Sequence, residues 1–98
     1  MLVEDNEALR EGLKTLLEQE KFTVLAAADG VDGLERMEEV TPDLIVADIV
    51  MPRMDGFALC EAVRSRPEWV SVPFIFLTVH REREYLLSGK KLVWRIIW

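Results

Sequence analysis

The sequence predicts an α/β fold built on a doubly wound parallel sheet, and three observations predict it. Four short apolar runs recur along the chain, each bounded by acids, Gly, Pro or Thr. Helical repeats of apolar residues lie between them. Each run is apolar throughout rather than at alternate positions, which suits strands covered on both faces. Strand and helix alternating in this way imply right-handed crossovers with helices on both sides of one sheet.

In chain order, "MLV" at residues 1–3 is the first strand. Leu9, Leu13, Leu16 and Leu17 then repeat at i, i+4, i+7 and i+8, one face of a helix. "FTVLAAA" at 22–28 is the second strand, and "ADGVDG" at 28–33 is a turn feeding a helix, with Asp32 a candidate cap. Leu34, Met37 and Val40 mark that helix's apolar stripe. "DLIVAD" at 43–48 is the third strand, and Ala58, Leu59, Ala62 and Val63 stripe a helix over 57–65. Between them Pro52 fixes φ and stops the ladder, while Gly56 admits a backbone conformation that would strain other residues. Asp55 stands where an N-cap belongs, with Met51 and Met54 placed to pack the loop. Trp69, in "RPEWVSVP", anchors the next loop to the sheet edge, and "PFIFLT" at 73–78 is the fourth strand. "HRERE" at 80–84 opens a solvated fourth helix whose looser stripe is Tyr85, Leu86, Leu87 and Leu92.

Composition narrows the function. A chain of 98 residues, half of them hydrophobic, is one domain with enough apolar surface for a core. Twelve basic residues against eighteen acidic ones give a net charge of −6. That balance argues against nucleic acid and against an anionic membrane, and favours a cation or an electropositive partner. The lone Cys60 cannot form an internal disulfide and reads as a small packed side chain, and His80 has no His or Cys companion at ligand spacing. The sequence has no apolar run near the roughly 20 residues a membrane span needs, and neither a signal peptide nor a membrane span is expected, so cytoplasmic residence is the expectation.

In open α/β sheets, sites form at the carboxyl ends of the strands. Three of the four runs end there in oxygen-bearing side chains: Glu4-Asp5-Asn6 after the first, Asp48 at the end of the third, Thr78 at the end of the fourth. Adjacent acids facing another carboxylate repel unless a cation sits among them. A hard divalent ion such as Mg²⁺ takes one or two carboxylates, a carbonyl and several waters. Asp48 therefore ends its strand as a member of an acidic cluster, not of the core.

The segments "LVEDN", "PDLIVADIVMPRMDG" and "PFIFLT" resemble the three signature segments of the receiver domain of bacterial two-component response regulators. The spacing of Asp5, Asp48 and Thr78 fits the same pattern, and the resemblance covers about residues 1–92 of a single domain at 1–98. It implies a flavodoxin-like receiver fold and a signalling domain rather than an enzyme, at most one that phosphorylates and dephosphorylates itself. By position, Asp48 matches the phosphoacceptor, whose carboxylate attacks the phosphorus of a phosphohistidine on a sensor histidine kinase. Glu4 and Asp5 match the acidic pair that holds Mg²⁺, together with Asp48 and the backbone carbonyl of Val50. Thr78 matches the hydroxyl that turns in to bond the phosphoryl group. An output domain or a separate protein is the implied downstream partner.

The chain departs from the family at its end. Receivers have five strands and five helices, but here "GKKLVWRIIW" closes the sequence, with residues 93–98 an atypical tail. The last strand and helix are expected to be missing or replaced. The lysine that in receivers pairs with the phosphoacceptor has no counterpart: Lys90 and Lys91 stand too early, and Ile97 takes the place of the aromatic partner of Thr78. The switch is therefore expected to be impaired. The bare "LVWRIIW" end is expected to serve as a makeshift edge strand or a self-associating patch. Two other readings stand beside this one. A receiver-like interaction or dimerisation module without phosphorylation is favoured by the missing lysine and opposed by the intact acids. An aspartyl-phosphate phosphatase of the haloacid-dehalogenase type would need an Asp two residues after Asp48, where Val50 stands.

Overall fold

A computed structural model describes residues 1–79 and 92–96, with Thr78, Val79 and 92–96 described as backbone only. In chain order the elements are β1 (Leu2–Val3), α1 (Glu7–Gln19), β2 (Ala26–Ala27), α2 (Gly30–Glu39), β3 (Ile45–Asp48), α3 (Gly56–Arg64), β4 (Phe74–Val79) and β5 (Leu92–Ile96). The strands form one sheet in the order β2-β1-β3-β4-β5. Pairing is parallel from β2 through β4. The doubly wound α/β fold expected from the sequence is what the chain adopts.

Strand alternation sorts the core into two layers. Val3, Ile45, Ala47, Phe74 and Phe76 face one side, where Met37 of α2 and Leu59 and Val63 of α3 pack on them. Leu2, Val46 and Leu77 face the other, against Leu13 of α1. Trp69 is buried in the first layer, so it anchors the α3–β4 connection to the core. The Arg66 guanidinium lies 4.0 Å above its ring. Cys60 is half-buried against the same layer, and burial pushes its thiol pKa up, as for a packing residue.

Helix ends follow side-chain chemistry. Asn6 caps α1 by accepting the Leu9 N–H at 2.9 Å, and Asp55 caps α3 by accepting the Ala58 N–H at 2.8 Å. The cap of α2 is Asp29, which accepts the Asp32 N–H at 2.8 Å, and not Asp32 as the sequence suggested. Only Asp29 precedes the helix by the three-residue offset a cap needs, and the Asp32 carboxylate reaches back to the Ala28 N–H at 3.0 Å. Just past the end of α1, Lys21 stands at φ 74, with the Lys21 N–H on the Glu18 carbonyl and the Phe22 N–H on that of Leu17. These two bonds are the usual closure around a left-handed residue.

Three further expectations are corrected. The second strand is Ala26–Ala27 rather than 22–28, because β1 offers only Leu2 and Val3 to pair with it, and Phe22 is left exposed. Val40 ends α2 with extended backbone and lies exposed instead of continuing the stripe. Leu92 begins β5 instead of ending a fourth helix. The expectation of a missing or replaced last strand resolves as replacement. Strand β5 runs antiparallel to β4 from Ile75↔Ile96 to Val79↔Leu92. The remaining expectations for 80–91 and 97–98, including those for His80, the Tyr85–Leu87 stripe, Lys90, Lys91 and Ile97, lie outside the described residues.

Candidate functional site

The strand order places β1 beside β3 at the sheet's centre, where the chain reverses its winding direction and a crevice opens at the carboxyl ends. Val3 pairs with Ala47, so the next residue on each strand, Glu4 and Asp48, stand side by side. Carboxylate oxygens of Glu4, Asp5 and Asp48 lie within 4.8 Å of one another. Glu4 and Asp48 are buried, whereas Asp5 is exposed at the lip. The three acids are thus brought together as the sequence suggested, as a sunken pair with one open side.

Backbone geometry holds this arrangement. The Arg10 guanidinium reaches back from α1 to donate to the Glu4 carbonyl at 2.9 Å, tying the β1–α1 connection to its helix. One Asp48 oxygen accepts the Val50 N–H in a long 3.4 Å contact. The β3–α3 loop, 49–55, then folds back on the end of β3. The Gly56 N–H donates to the Ile49 carbonyl at 2.8 Å, and a Cβ on Gly56 would sit 2.4 Å from the Asp48 carbonyl oxygen. Glycine at 56 is required by this close approach. Inside the loop, the Met54 N–H donates to the Pro52 carbonyl at 2.7 Å across Arg53, whose φ is 66. A three-residue turn of this hand is uncommon and strained.

Sequence reasoning missed what fastens this loop. Arg53 grips Asp29 with both prongs of its guanidinium, Nε to Oδ2 at 2.8 Å and Nη2 to Oδ1 at 2.9 Å. The Asp32 backbone N–H first, and Arg53 after it, hold the Asp29 carboxyl below its ordinary pKa. Nothing in the apolar pattern pairs residues 24 apart in two different loops. The available signal was that both loops leave the carboxyl ends of strands on the same side of the sheet. Thr78 is placed next to Leu77, the partner of Asp48, at the carboxyl end of β4. Its hydroxyl lies outside the described residues. Val50 is exposed in the loop just after Asp48.

As donors, three carboxylates with one solvent-facing side suit a hard, oxygen-seeking divalent cation, which fills its remaining positions with carbonyl and water. No thiolate or imidazole joins the cluster among the described residues. Among those residues, too, no helix is long and apolar enough to cross a membrane.

The response regulator receiver domain family matches residues 1–93. The chain is 38% identical over 82 residues to the transcriptional regulatory protein AfsQ1 of Streptomyces coelicolor, covering 84% of this chain but 35% of that protein. It is 33% identical over 78 residues to protein PilG of Pseudomonas aeruginosa, covering 80% of this chain and 58% of the relative. The chain therefore spans only part of these relatives. Among solved structures, chemotaxis protein CheY4 of Vibrio cholerae superposes with a TM-score of 0.77 at 30% identity, over 90% of this chain and 73% of that one. A signal receiver domain of a histidine kinase from Syntrophus aciditrophicus also gives 0.77, at 31% identity over 88% and 65% of the two chains. Its strand order, its acidic crevice at the β1–β3 switch point and this match over nearly its whole length make the chain a member of the response regulator receiver domain family of two-component signalling.

Proposed function

We propose that Asp48 accepts a phosphoryl group from the phosphohistidine of a sensor histidine kinase, in a Mg²⁺-dependent step. The observation that carries this reading is the gathering of Glu4, Asp5 and Asp48 within 4.8 Å at the crevice of the sheet. Glu4 and Asp5 would hold the ion with Asp48 and the Val50 carbonyl, and bound there it would offset the negative charge gathered on the transferred group. In the transfer, a carboxylate oxygen of Asp48 forms the new P–O bond as the P–N bond to the imidazole breaks. The chain's own part is placement. The Val50 N–H orients one Asp48 oxygen, the Gly56 turn fixes where the strand stops, and burial keeps bulk water off the reacting carboxylate. An acyl phosphate brings about −1.5 to −2 charges into a site already acidic, so donors at its rim decide how long it survives. Thr78 is proposed as one such donor. The signal then passes to an output domain or a separate protein that reads the altered surface.

Acetyl phosphate with Mg²⁺, followed by intact mass, tests the reading. The expected result is a Mg²⁺-dependent phosphoryl adduct that is absent from Asp48→Ala. Mg²⁺ binding with no adduct would overturn phosphoacceptance and leave a receiver-shaped interaction module.

A further inference from the structure

Two contacts fasten the β3–α3 loop to the turn between β2 and α2. One is the two-pronged bond from Arg53 to Asp29, a geometry that fixes direction as well as distance. The other is the packing of Met54 on Gly30, so close that a Cβ on Gly30 would meet the Met54 Cβ and Cγ at 2.8 Å. The two ends of the bond differ in character. Asp29 is 8% exposed and already committed to capping α2, so it is a rigid anchor. Arg53 is an exposed side chain at the centre of a strained turn, with φ 66.

Such a turn persists only where its surroundings over-determine it. An exposed ion pair would be too weak a device, but a bidentate bond to a nearly buried, pre-oriented carboxylate is a better one. The loop so held begins at Ile49 and Val50, directly after Asp48, and is pinned at its far end by Gly56.

We propose that the Asp29–Arg53 pair is a latch that positions the β3–α3 loop, and with it the N–H and carbonyl of Val50, at the mouth of the Glu4–Asp5–Asp48 cluster. Arg53 and Asp29 are positioning residues, and the start of α2 becomes part of what sets cation affinity there. The inference rests on the reading of that cluster as a Mg²⁺ site. It accounts for an arginine at the strained centre of the turn, where a glycine would be relaxed but could not bridge to Asp29.

The test compares the parent chain with Arg53→Ala, Arg53→Lys, Asp29→Asn and the Asp29→Asn/Arg53→Ala double variant. Asn keeps the helix cap while removing the charge and the second acceptor. Amide exchange in metal-free protein should quicken about tenfold at Val50, Met54 and Gly56 in Arg53→Ala, while the central strands stay protected. Titration with MgCl₂, read from amide shifts at Asp5 and Asp48, should show the dissociation constant rising about tenfold in either single variant. The double variant should be no worse than either single, and Arg53→Lys should recover only part of the loss. Unchanged loop exchange in Arg53→Ala, additive losses, or Mg²⁺ affinities within about twofold of a parent that binds normally would overturn the latch. If the parent itself bound no Mg²⁺, the cation reading would fall, and the exchange comparison alone would decide the latch: faster loop exchange for it, unchanged exchange against it.

Discussion

Lys21, just past the end of α1, and Arg53, in the β3–α3 loop, both hold a left-handed backbone, at φ 74 and φ 66. Each pays the steric cost of a Cβ in that region, about 1–2 kcal/mol. They are held by different means. At Lys21 the backbone closes on itself through the bonds to Glu18 and Leu17, and the exposed side chain takes no part in them. At Arg53 the local closure is one short turn, and the side chain spans to another element to reach Asp29. The first is a way to end a helix through backbone bonds alone, with no help from the side chain. The second is a way to hold a loop in place beside a site, and there the identity of the residue matters.

The sharpest way to break the contrast is to displace the loop itself. Gly56→Ala would drive a Cβ to 2.4 Å from the Asp48 carbonyl oxygen, and backbone cannot yield as a side chain can. A loss near the upper end of about 1–3 kcal/mol is expected in urea unfolding, together with loss of the phosphoryl adduct proposed for Asp48. Gly30→Ala meets Met54 at 2.8 Å and also its carbonyl oxygen at 2.9 Å, but part of that obstacle is a flexible thioether side chain. It should cost less in unfolding, about 1–2 kcal/mol, yet still weaken Mg²⁺ binding because it pushes the loop off its anchor. Equal stability of Gly30→Ala and parent would show that the loop is not docked on α2 as described.

Glycine at the two left-handed positions then separates strain from bridging. Lys21→Gly removes the steric cost while loosening the unfolded chain, so thermal unfolding should show a net gain of up to about 1 kcal/mol. Arg53→Gly removes the same cost but also the bidentate bond. It should bring no comparable gain, and Mg²⁺ binding should weaken. If both substitutions stabilised equally with no effect on Mg²⁺, the side chain of Arg53 would be as incidental as that of Lys21.

The contrast also marks what the sequence can reveal. Glu4, Asp5 and Asp48 were legible because an acid ending an apolar run breaks a pattern, and parallel register then brings neighbouring strand ends together. Asp55 and Gly56 were legible because caps and tight approaches demand particular residue types. The extent of β2 was not, since it is set by how many residues its partner offers and not by the apolarity of Phe22–Leu25. Nor was the direction of β5, because a short apolar run reads the same whether its neighbour is parallel or antiparallel. The choice between Asp29 and Asp32 as cap turned on a single residue's offset, and the Asp29–Arg53 bond on a meeting of two loops that no periodic signal encodes.

The smallest expected effect is a pH dependence confined to the latch. The Asp29 carboxyl lies below its ordinary value of 3.8, chiefly through the Asp32 N–H and then through Arg53. A carboxyl depressed in the folded state binds its proton less readily there than in the unfolded chain. The stability it confers is therefore fully present above the unfolded value and is lost as pH falls through the folded one. Unfolding measured between about pH 5 and pH 2 should fall more steeply in the parent than in Asp29→Asn, which keeps a cap but has no proton to take up. Because other carboxyls titrate in the same window, the difference between the two curves is the quantity to read. In Arg53→Ala that difference should shrink but persist, since the Asp32 N–H remains in place. If it vanished entirely, Arg53 alone would account for the depressed acid; if it stayed at full size, the guanidinium would contribute nothing to holding Asp29 charged, and the latch would be a contact without energetic consequence.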